Sequence, residues 1–244
     1  SDAHAAAKAH YPGLRIIDGV EISTRWHSFE IHIVGLNIDT GHPALQAFLA
    51  DQQQKREERA AKIADKLAKC GFAGTLERAR RYAGVGQITR AHFARVLVDS
   101  FQVATLEKAF KLYLGKGKRA AVKAEWPDIA AAVKVIQQAG GRAVLAHPIH
   151  YDMTTKWLRR LIAEFAEAGG DAAEVVFPGM SAEKQALLQS IVAEYDLLAS
   201  AGSDFHFPGR WTELGRCQLK TDALTPVWHD WHLAVSQSSL KDPV

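Results

Sequence analysis

The chain has 244 residues, 48% hydrophobic and 23% charged, with 30 Lys+Arg against 27 Asp+Glu. That is ordinary globular composition, enough for one large domain or two small ones. No apolar run approaches the ~18 residues of a membrane span, and Cys70 and Cys217 lack C-x-x-C neighbours, which argues against a disulfide framework or a thiolate zinc site. A reducing cytoplasm is the simplest compartment.

Taken in chain order, the Ala-rich start predicts a helix over 2–10, which passes through Pro12-Gly13 into a strand over 15–22. A second strand over 30–36 follows a turn. Residues 44–69 predict a long helix anchored by Leu45, Phe48, Leu49, Ile63 and Leu67, and Gly71 and Gly74 end it. Segments 75–83, 91–100 and 106–114 read as further helices, separated by Gly84, Gly86, Gly115 and Gly117. An amphipathic helix over 127–139 stops at Gly140-Gly141. Strand 142–146, helix 156–168, strand 172–177, helix 182–195 and strand 197–200 then alternate, and 236–244 reads as a frayed tail. This alternation predicts an α/β frame with a mostly parallel sheet. Segment 51–126 has no strand signal and reads as a helical insertion between two frame segments, 1–50 and 127–235.

The insertion is basic. Residues 51–126 carry 17 Lys+Arg and 8 Asp+Glu, net +9, whereas the remainder carries 13 basic and 19 acidic residues, net −6. A basic module within an acidic frame suits phosphate binding beside an anionic metal site; a solvated helical surface is the plainer alternative.

Candidate metal ligands stand at the ends of apolar runs. Glu21 follows Gly19-Val20, His32 lies between Ile31 and Ile33, His147 follows Ala143-Val144-Leu145-Ala146, and Asp204-Phe205-His206 follows an apolar run and Gly202. Groups at the C-terminal ends of several barrel strands meet at one mouth, and imidazoles with carboxylates suit Mn²⁺, Fe or Zn²⁺. In extended backbone Asp204 and His206 share a face, although D-x-H is short and Asp204 could merely cap a turn. Pro148 biases His147 toward an extended conformation; otherwise His147 reads as a satisfied core histidine. Glu30 shares the His32 face and is a lesser candidate. In the insertion, Arg90 stands near a helix start, where amides favour phosphate. Arg95 lies five residues on, about 140° round the helix, with His92 between them. Gly115-Lys116-Gly117-Lys118-Arg119 is a basic loop without the spacing of a nucleotide-hydrolase phosphate loop. There is no G-x-S-x-G, so metal-activated water fits better than a serine nucleophile.

Gly-Val-Glu21-Ile-Ser, Ile-His32-Ile-Val-Gly-Leu, Arg-Ala-His92-Phe-Ala-Arg, Leu-Ala-His147-Pro and Gly-Ser-Asp204-Phe-His206 together resemble the polymerase-and-histidinol-phosphatase (PHP) family. The resemblance is greatest to its bacterial branch of nucleoside 3′,5′-bisphosphate phosphatases and 5′→3′ exoribonucleases. It implies a distorted (β/α)₇ barrel holding up to three metal ions, commonly Mn²⁺, with Fe or Zn²⁺ as alternatives. It implies metal ligation by Glu21, His32, His147, Asp204 and His206, substrate binding by Arg90, Arg95 and Lys118, and a catalytic part for His92. The implied activity is hydrolysis of phosphate esters of nucleotides or short RNA 5′ ends by a metal-activated hydroxide. The family's opening H-x-H and T-D-H strand ends are absent here, so the resemblance implies that the first two barrel strands are missing and that the chain alone is inactive or poorly metallated. Ile149-His150 stand where the family often has Gly-Arg, and Arg119-Ala120-Ala121 where Pro-Ala-Tyr is usual. The alternatives are a small-metabolite phosphatase of the histidinol-phosphatase type and a non-catalytic, degenerate PHP module that binds RNA or a partner.

Overall fold

A computed structural model describes residues 2–11, 13–205, 217, 219 and 224–231. They divide into two compact units, Ser1–Leu45 with Pro127–Val244, and Gln46–Trp126. The helical unit therefore begins earlier than position 51, because the helix that leads into it is unbroken across the boundary. His206 and the tail over 236–244 lie outside the described residues.

The first unit opens with α1 (Asp2–His10) and a hairpin of β1 (Gly19–Trp26) and β2 (Phe29–Leu36), joined at His27, whose φ is 50°. The first strand thus starts four residues later than position 15. Period-two alternation sets the hairpin: Ile22, Ile31 and Ile33 are fully buried, while Glu21 and His32 lie on the opposite face. After the helical unit come α6 (Ile129–Gln138), β3 (Arg142–Leu145), α7 (Thr155–Glu167), β4 (Ala172–Val176), α8 (Ala182–Glu194) and β5 (Leu198–Ala201).

The five strands form one sheet in the order β1-β2-β3-β4-β5. It is half antiparallel: β1 pairs with β2 and β2 with β3 antiparallel, and only β3-β4 and β4-β5 are parallel. The expectation of a mostly parallel sheet fails because a tight hairpin returns the chain at once, whereas parallel pairs need crossover helices such as α7 and α8. Among the described residues the sheet does not close into a barrel.

Local chemistry fixes the helix starts. The Asp128 carboxylate accepts from the Ala131 N–H at 2.8 Å, and the Thr154 and Ser181 hydroxyls accept from the Trp157 and Lys184 N–H groups at the starts of α7 and α8. The sheet buries Val144, Leu145, Ala172, Ala173 and Val175 completely. Gly35 leaves no room for a Cβ because Ile136 of α6 lies against it, 2.9 Å from where that atom would stand. On α7, Leu158, Leu161, Ile162 and Phe165 recur at three- and four-residue spacing and are all buried.

The second unit holds most of α2 (Pro43–Lys69), then α3 (Thr75–Ala83), α4 (Arg90–Asp99) and α5 (Leu106–Ala109), packed around Ile63, Leu67, Phe93, Leu97 and Leu114. The helix expected over 106–114 changes hand-hold part-way. Phe110–Leu114 is a π-helical turn, closed by a bond from the Gly115 N–H to the Phe110 carbonyl at 2.8 Å. The basic loop after it is folded by the Lys118 N–H to Gly115 and the Ala121 N–H to Lys118, both at 3.0 Å. Among the described residues no helix is long and apolar enough to cross a membrane.

Phe165 is fully buried, and Gly170 packs against its ring. Phe165→Ala should lower unfolding stability by about 3–5 kcal/mol, read as a shift of the denaturant midpoint at unchanged slope. A loss below about 1 kcal/mol would mean that the ring is not a core anchor.

Candidate metal centre

The site of the first unit is built by the alternation of β1 and β2. In the register of the hairpin Ser23 faces His32 and Glu21 faces Val34, so Glu21 and His32 are diagonal neighbours on one face. Their side chains meet, with His32 Nδ1 2.9 Å from Glu21 Oε1. His147 reaches the same oxygen from beyond β3, with Nε2 at 3.4 Å. The His32 and His147 rings stand edge to face, 5.2 Å between centroids. One ligand-capable atom from each of the three residues lies within 4.8 Å of the others. Donor atoms around one ion at bond lengths of ~2.1 Å are separated by roughly 3–3.5 Å, and the two distances to Glu21 are of that size.

The buried Nδ1 of His147 has no hydrogen-bond partner among the described residues. The nitrogen that meets the carboxylate is Nε2 of the same ring, and together with Nδ1 of His32 and a Glu21 oxygen it forms a donor set that fits a transition metal or zinc. Hydrogen bonds to His147, then to His32, hold the Glu21 carboxyl well below the usual carboxylate range. Burial works against a charged His147, but the hydrogen bond with Glu21 and the negative charges of Glu174, Glu21 and Asp204 outweigh it and raise its pKa.

The backbone of His147 differs from the sequence expectation. Pro148 should favour an extended conformation, yet His147 is left-handed, φ 33° and ψ 50°, and leads into a 3₁₀ turn over Pro148–His150. The cause lies on the next strand, 27 residues on: the Glu174 carboxylate of β4 accepts the His147 N–H at 2.7 Å. Glu174 in turn lies against Gly202, where an added Cβ would come within 2.0 Å of its Oε1. Glycine is therefore required at position 202 by close approach. Burial raises the Glu174 pKa, and the charges of Glu21 and Asp204 add to the rise. Tyr151 completes the support: its hydroxyl accepts the His32 N–H at 2.8 Å and donates to the Ala146 carbonyl at 3.2 Å.

Of the five expected ligands, Glu21, His32 and His147 come together. Asp204, at φ 47° after β5, is close enough to act electrostatically on His147 and Glu174. Strand ends are only part of the placement. Glu21 is the third residue of β1 and His32 the fourth of β2, so face alternation positions them; His147 and Asp204 do follow strand ends.

In the helical unit, Arg90 opens α4 and lines a small pocket with Arg56, Arg59, Thr89, Ile63, Ile88 and Phe93. The Arg56 and Arg59 guanidinium groups lie 4.4 and 5.8 Å from the Trp126 ring centroid, and the Arg59 Nε–H donates to the Val122 carbonyl at 3.1 Å. His92 Nδ1 accepts the Thr89 N–H at 3.1 Å, the reciprocal half of a capping box, and burial, followed by Arg95, lowers its pKa. Arg95 does not line this pocket; its guanidinium lies over the Tyr82 ring at 5.2 Å. Lys118 is exposed in the folded basic loop.

No family model matches the chain. A 5′-3′ exoribonuclease of Haemophilus influenzae is 47% identical over 227 residues, which cover 93% of this chain and 82% of that protein. The 3′,5′-nucleoside bisphosphate phosphatase of Chromobacterium violaceum is 38% identical, covering 93% and 81%. Among solved structures, a Chromobacterium violaceum amidohydrolase with bound sulfate and no metal superposes with a TM-score of 0.80 at 39% identity, covering 93% of this chain and 79% of that one. A proposed metal-dependent phosphoesterase of Bifidobacterium adolescentis shares the fold, with a TM-score of 0.73 at 24% identity, covering 93% and 77%. The chain belongs to the PHP family of phosphoesterases. It is a hydrolytic enzyme.

Three groups of this PHP phosphoesterase escaped the sequence reading. Glu174 was one residue of an expected strand, yet a carboxylate within Ala172-Ala173-Glu174-Val175-Val176 is the signal of a polar group with a structural partner. Tyr151 carries no local signal, since its partners lie on β2 and next to β3. Arg56 and Arg59 read as part of a charged helix surface, because the Trp126 that covers them is about seventy residues away in sequence.

The paired charges give the metal-free protein a defined pH response. Glu21 is lowered from 4.5, so its contribution to stability is present above that value and is lost as pH falls through the lower folded value. His147 is raised from 6.5, so its contribution is complete below 6.5 and is lost as pH rises through the higher folded value. The melting-temperature difference between the wild type and Glu21→Gln, measured in chelator, should therefore be greatest between pH 4.5 and 6.5. A difference that is flat from pH 4 to 9 would contradict the pairing.

Proposed function

We propose that this PHP phosphoesterase cleaves phosphate esters of nucleotides or RNA 5′ ends, with Glu21, His32 and His147 among the ligands of its metal centre. The observation that carries the reading is the convergence of these three side chains on one point, with His32 Nδ1 and His147 Nε2 both at the Glu21 carboxylate. Asp204 and His206 are proposed as further ligands from beyond β5. A bound metal supplies a Lewis acid that lowers the pKa of water and offsets negative charge developing on phosphoryl oxygens. Mn²⁺ is the proposed ion, with Fe or Zn²⁺ compatible with the same donors.

The chain's own residues supply the rest. Glu174 and Tyr151 hold the backbones of His147 and His32, so the two imidazoles present fixed nitrogens. Loss of the His147 proton frees Nε2 as a donor, which ties metal loading to pH. In the helical unit, Arg56, Arg59 and Arg90 line a pocket at the start of α4, where guanidinium forks and helix amides both favour phosphate. His92 uses Nδ1 as an acceptor, which leaves the proton on Nε2 and makes the ring a neutral hydrogen-bond donor. We propose that it donates to a phosphate oxygen, and that Arg95 and Lys118 add longer-range attraction. The relatives named for nucleoside bisphosphates and for exoribonuclease action support a substrate with more than one phosphate.

Glu21→Gln and His147→Ala should each reduce bound metal per chain, read by elemental analysis, and lower phosphate release from adenosine 3′,5′-bisphosphate by on the order of 10²-fold or more. Full metal content in both variants would remove these residues from the centre. Wild-type metal affinity should also rise between pH 6 and 8 as His147 gives up its proton.

Arg90→Ala should raise KM more than it lowers kcat, the pattern of an interaction made equally in ground and transition states. It should also reduce the slope of log affinity against log salt for a 5′-phosphorylated oligonucleotide by about 0.7. An unchanged salt slope would mean that Arg90 does not contact phosphate.

A further inference from the structure

A second pocket lies in the first unit, one ring away from the metal-binding triad. It is an open cleft of about 230 Å³, lined by Ile149, His150, Phe177, Pro178, Gly179, Met180, Ser181 and Lys184. Its connection to the triad is direct. The His150 ring stacks on His147 at 5.8 Å between centroids and 18° between planes, and the edge of Phe177 meets His150 at 4.0 Å and 82°. A continuous run of rings therefore leads from Glu21 through His147 and His150 to Phe177.

The far wall is a turn. The Met180 N–H donates to the Phe177 carbonyl at 3.1 Å, closing a turn in which Gly179 has φ 81°. That left-handed position suits glycine. The turn sets Phe177, Pro178 and Met180 at the pocket, and α8 follows at once with Ser181 as its cap. The lining is of two kinds: flat or polarisable apolar groups, and a polar rim of His150, Ser181 and Lys184. A phosphate would leave the Ile149, Phe177, Pro178 and Met180 surfaces without a complementary partner. A hydrocarbon would leave the rim unmatched. A planar heteroaromatic ring, with apolar faces and polar edges, satisfies both. The volume is below the ~300–1,000 Å³ typical of a pocket for a whole small molecule, so it fits one ring of a larger ligand.

We propose that this pocket is the nucleobase subsite of the enzyme, with Phe177, Met180 and His150 contacting the base and the polar rim reading its edge. The inference rests on the nucleotide reading of the metal centre and deepens it. A phosphate held at the triad would place the rest of a nucleotide within reach of a pocket one ring away. Stacking on aromatic groups is tolerant of base identity, so the subsite gives preference for a base over none rather than for one base over another.

The test uses the metal-loaded enzyme and two substrates: adenosine 3′,5′-bisphosphate, and the abasic 1,2-dideoxyribose 3,5-bisphosphate. The wild type should prefer the base-bearing substrate in kcat/KM. His150→Ala and Phe177→Ala should each reduce that preference by about tenfold, mainly through KM, and Phe177→Tyr should restore it. His150 is exposed, so its variant keeps the test valid where loss of Phe177 disturbs folding. A base-to-abasic ratio equal to that of the wild type in His150→Ala and Phe177→Ala overturns the subsite. A second measurement needs no turnover: quenching of 2-aminopurine riboside 5′-phosphate fluorescence on binding should be strong in the wild type and weak in both alanine variants. Intact, variant-sensitive quenching with no bisphosphate hydrolysis would sink the proposed reaction and leave the base subsite standing. Normal hydrolysis with quenching indifferent to both variants would do the reverse.

Discussion

The centre depends on one hydrogen bond, from the backbone N–H of His147 to the carboxylate of Glu174. A residue other than glycine at φ 33° sits in a sparsely populated region, at a cost of order 1–3 kcal/mol that the surroundings must outweigh. Here they do so from several strands at once. Glu174 on β4 fixes the N–H, the Ala146 N–H bonds to the His32 carbonyl on β2, and Gly202 beyond β5 makes room for the carboxylate. In this conformation the His147 imidazole reaches Glu21, with Nε2 3.4 Å from Oε1. Backbone geometry, not side-chain length, is what closes the triad.

How far the sequence foretold this depends on the range of the interaction involved. Helices read from periodicity and capping residues match closely, because Asp128, Thr154 and Ser181 act on their own first turns. Glu21 and His32 were legible for a similarly local reason, since period-two alternation places them opposite Ile22, Ile31 and Ile33. Their diagonal register was not legible, because it follows from the turn at His27. The conformation of His147 was misjudged because a nearest-neighbour rule, the effect of Pro148, was overridden by a contact with Glu174, 27 residues away. The same holds for Arg56 and Arg59, which are turned from surface charges into the wall of a pocket by Trp126. The half-antiparallel sheet was missed where the hairpin returns the chain without a helix.

The two units divide the electrostatic work. Helices of the second unit bring guanidinium groups to a helix start, with an aromatic ring as the platform on which two of them lie. Arg keeps its charge in such a setting and offers fixed donor geometry, as phosphate binding requires. The first unit instead gathers carboxylates. Glu174 feels both Glu21 and Asp204, and its pKa is raised by burial and by them. The carboxylates thus stand in one compact unit and the arginine pocket in the other.

That division argues for the cation at the carboxylate cluster. Two unit charges 4 Å apart interact by about 4 kcal/mol at an effective dielectric of 20. A phosphate near Glu21, Glu174 and Asp204 would meet several such repulsions. A proton on His147 offsets one charge, but on Nε2 it occupies the nitrogen that faces Glu21 and is proposed as a ligand. A proton and a metal would compete for Nε2 of this imidazole, and only a metal would bring more than one positive charge to the cluster. The same negative field that favours the proton on His147 would favour a divalent ion at the proposed ligands Glu21, His32 and His147.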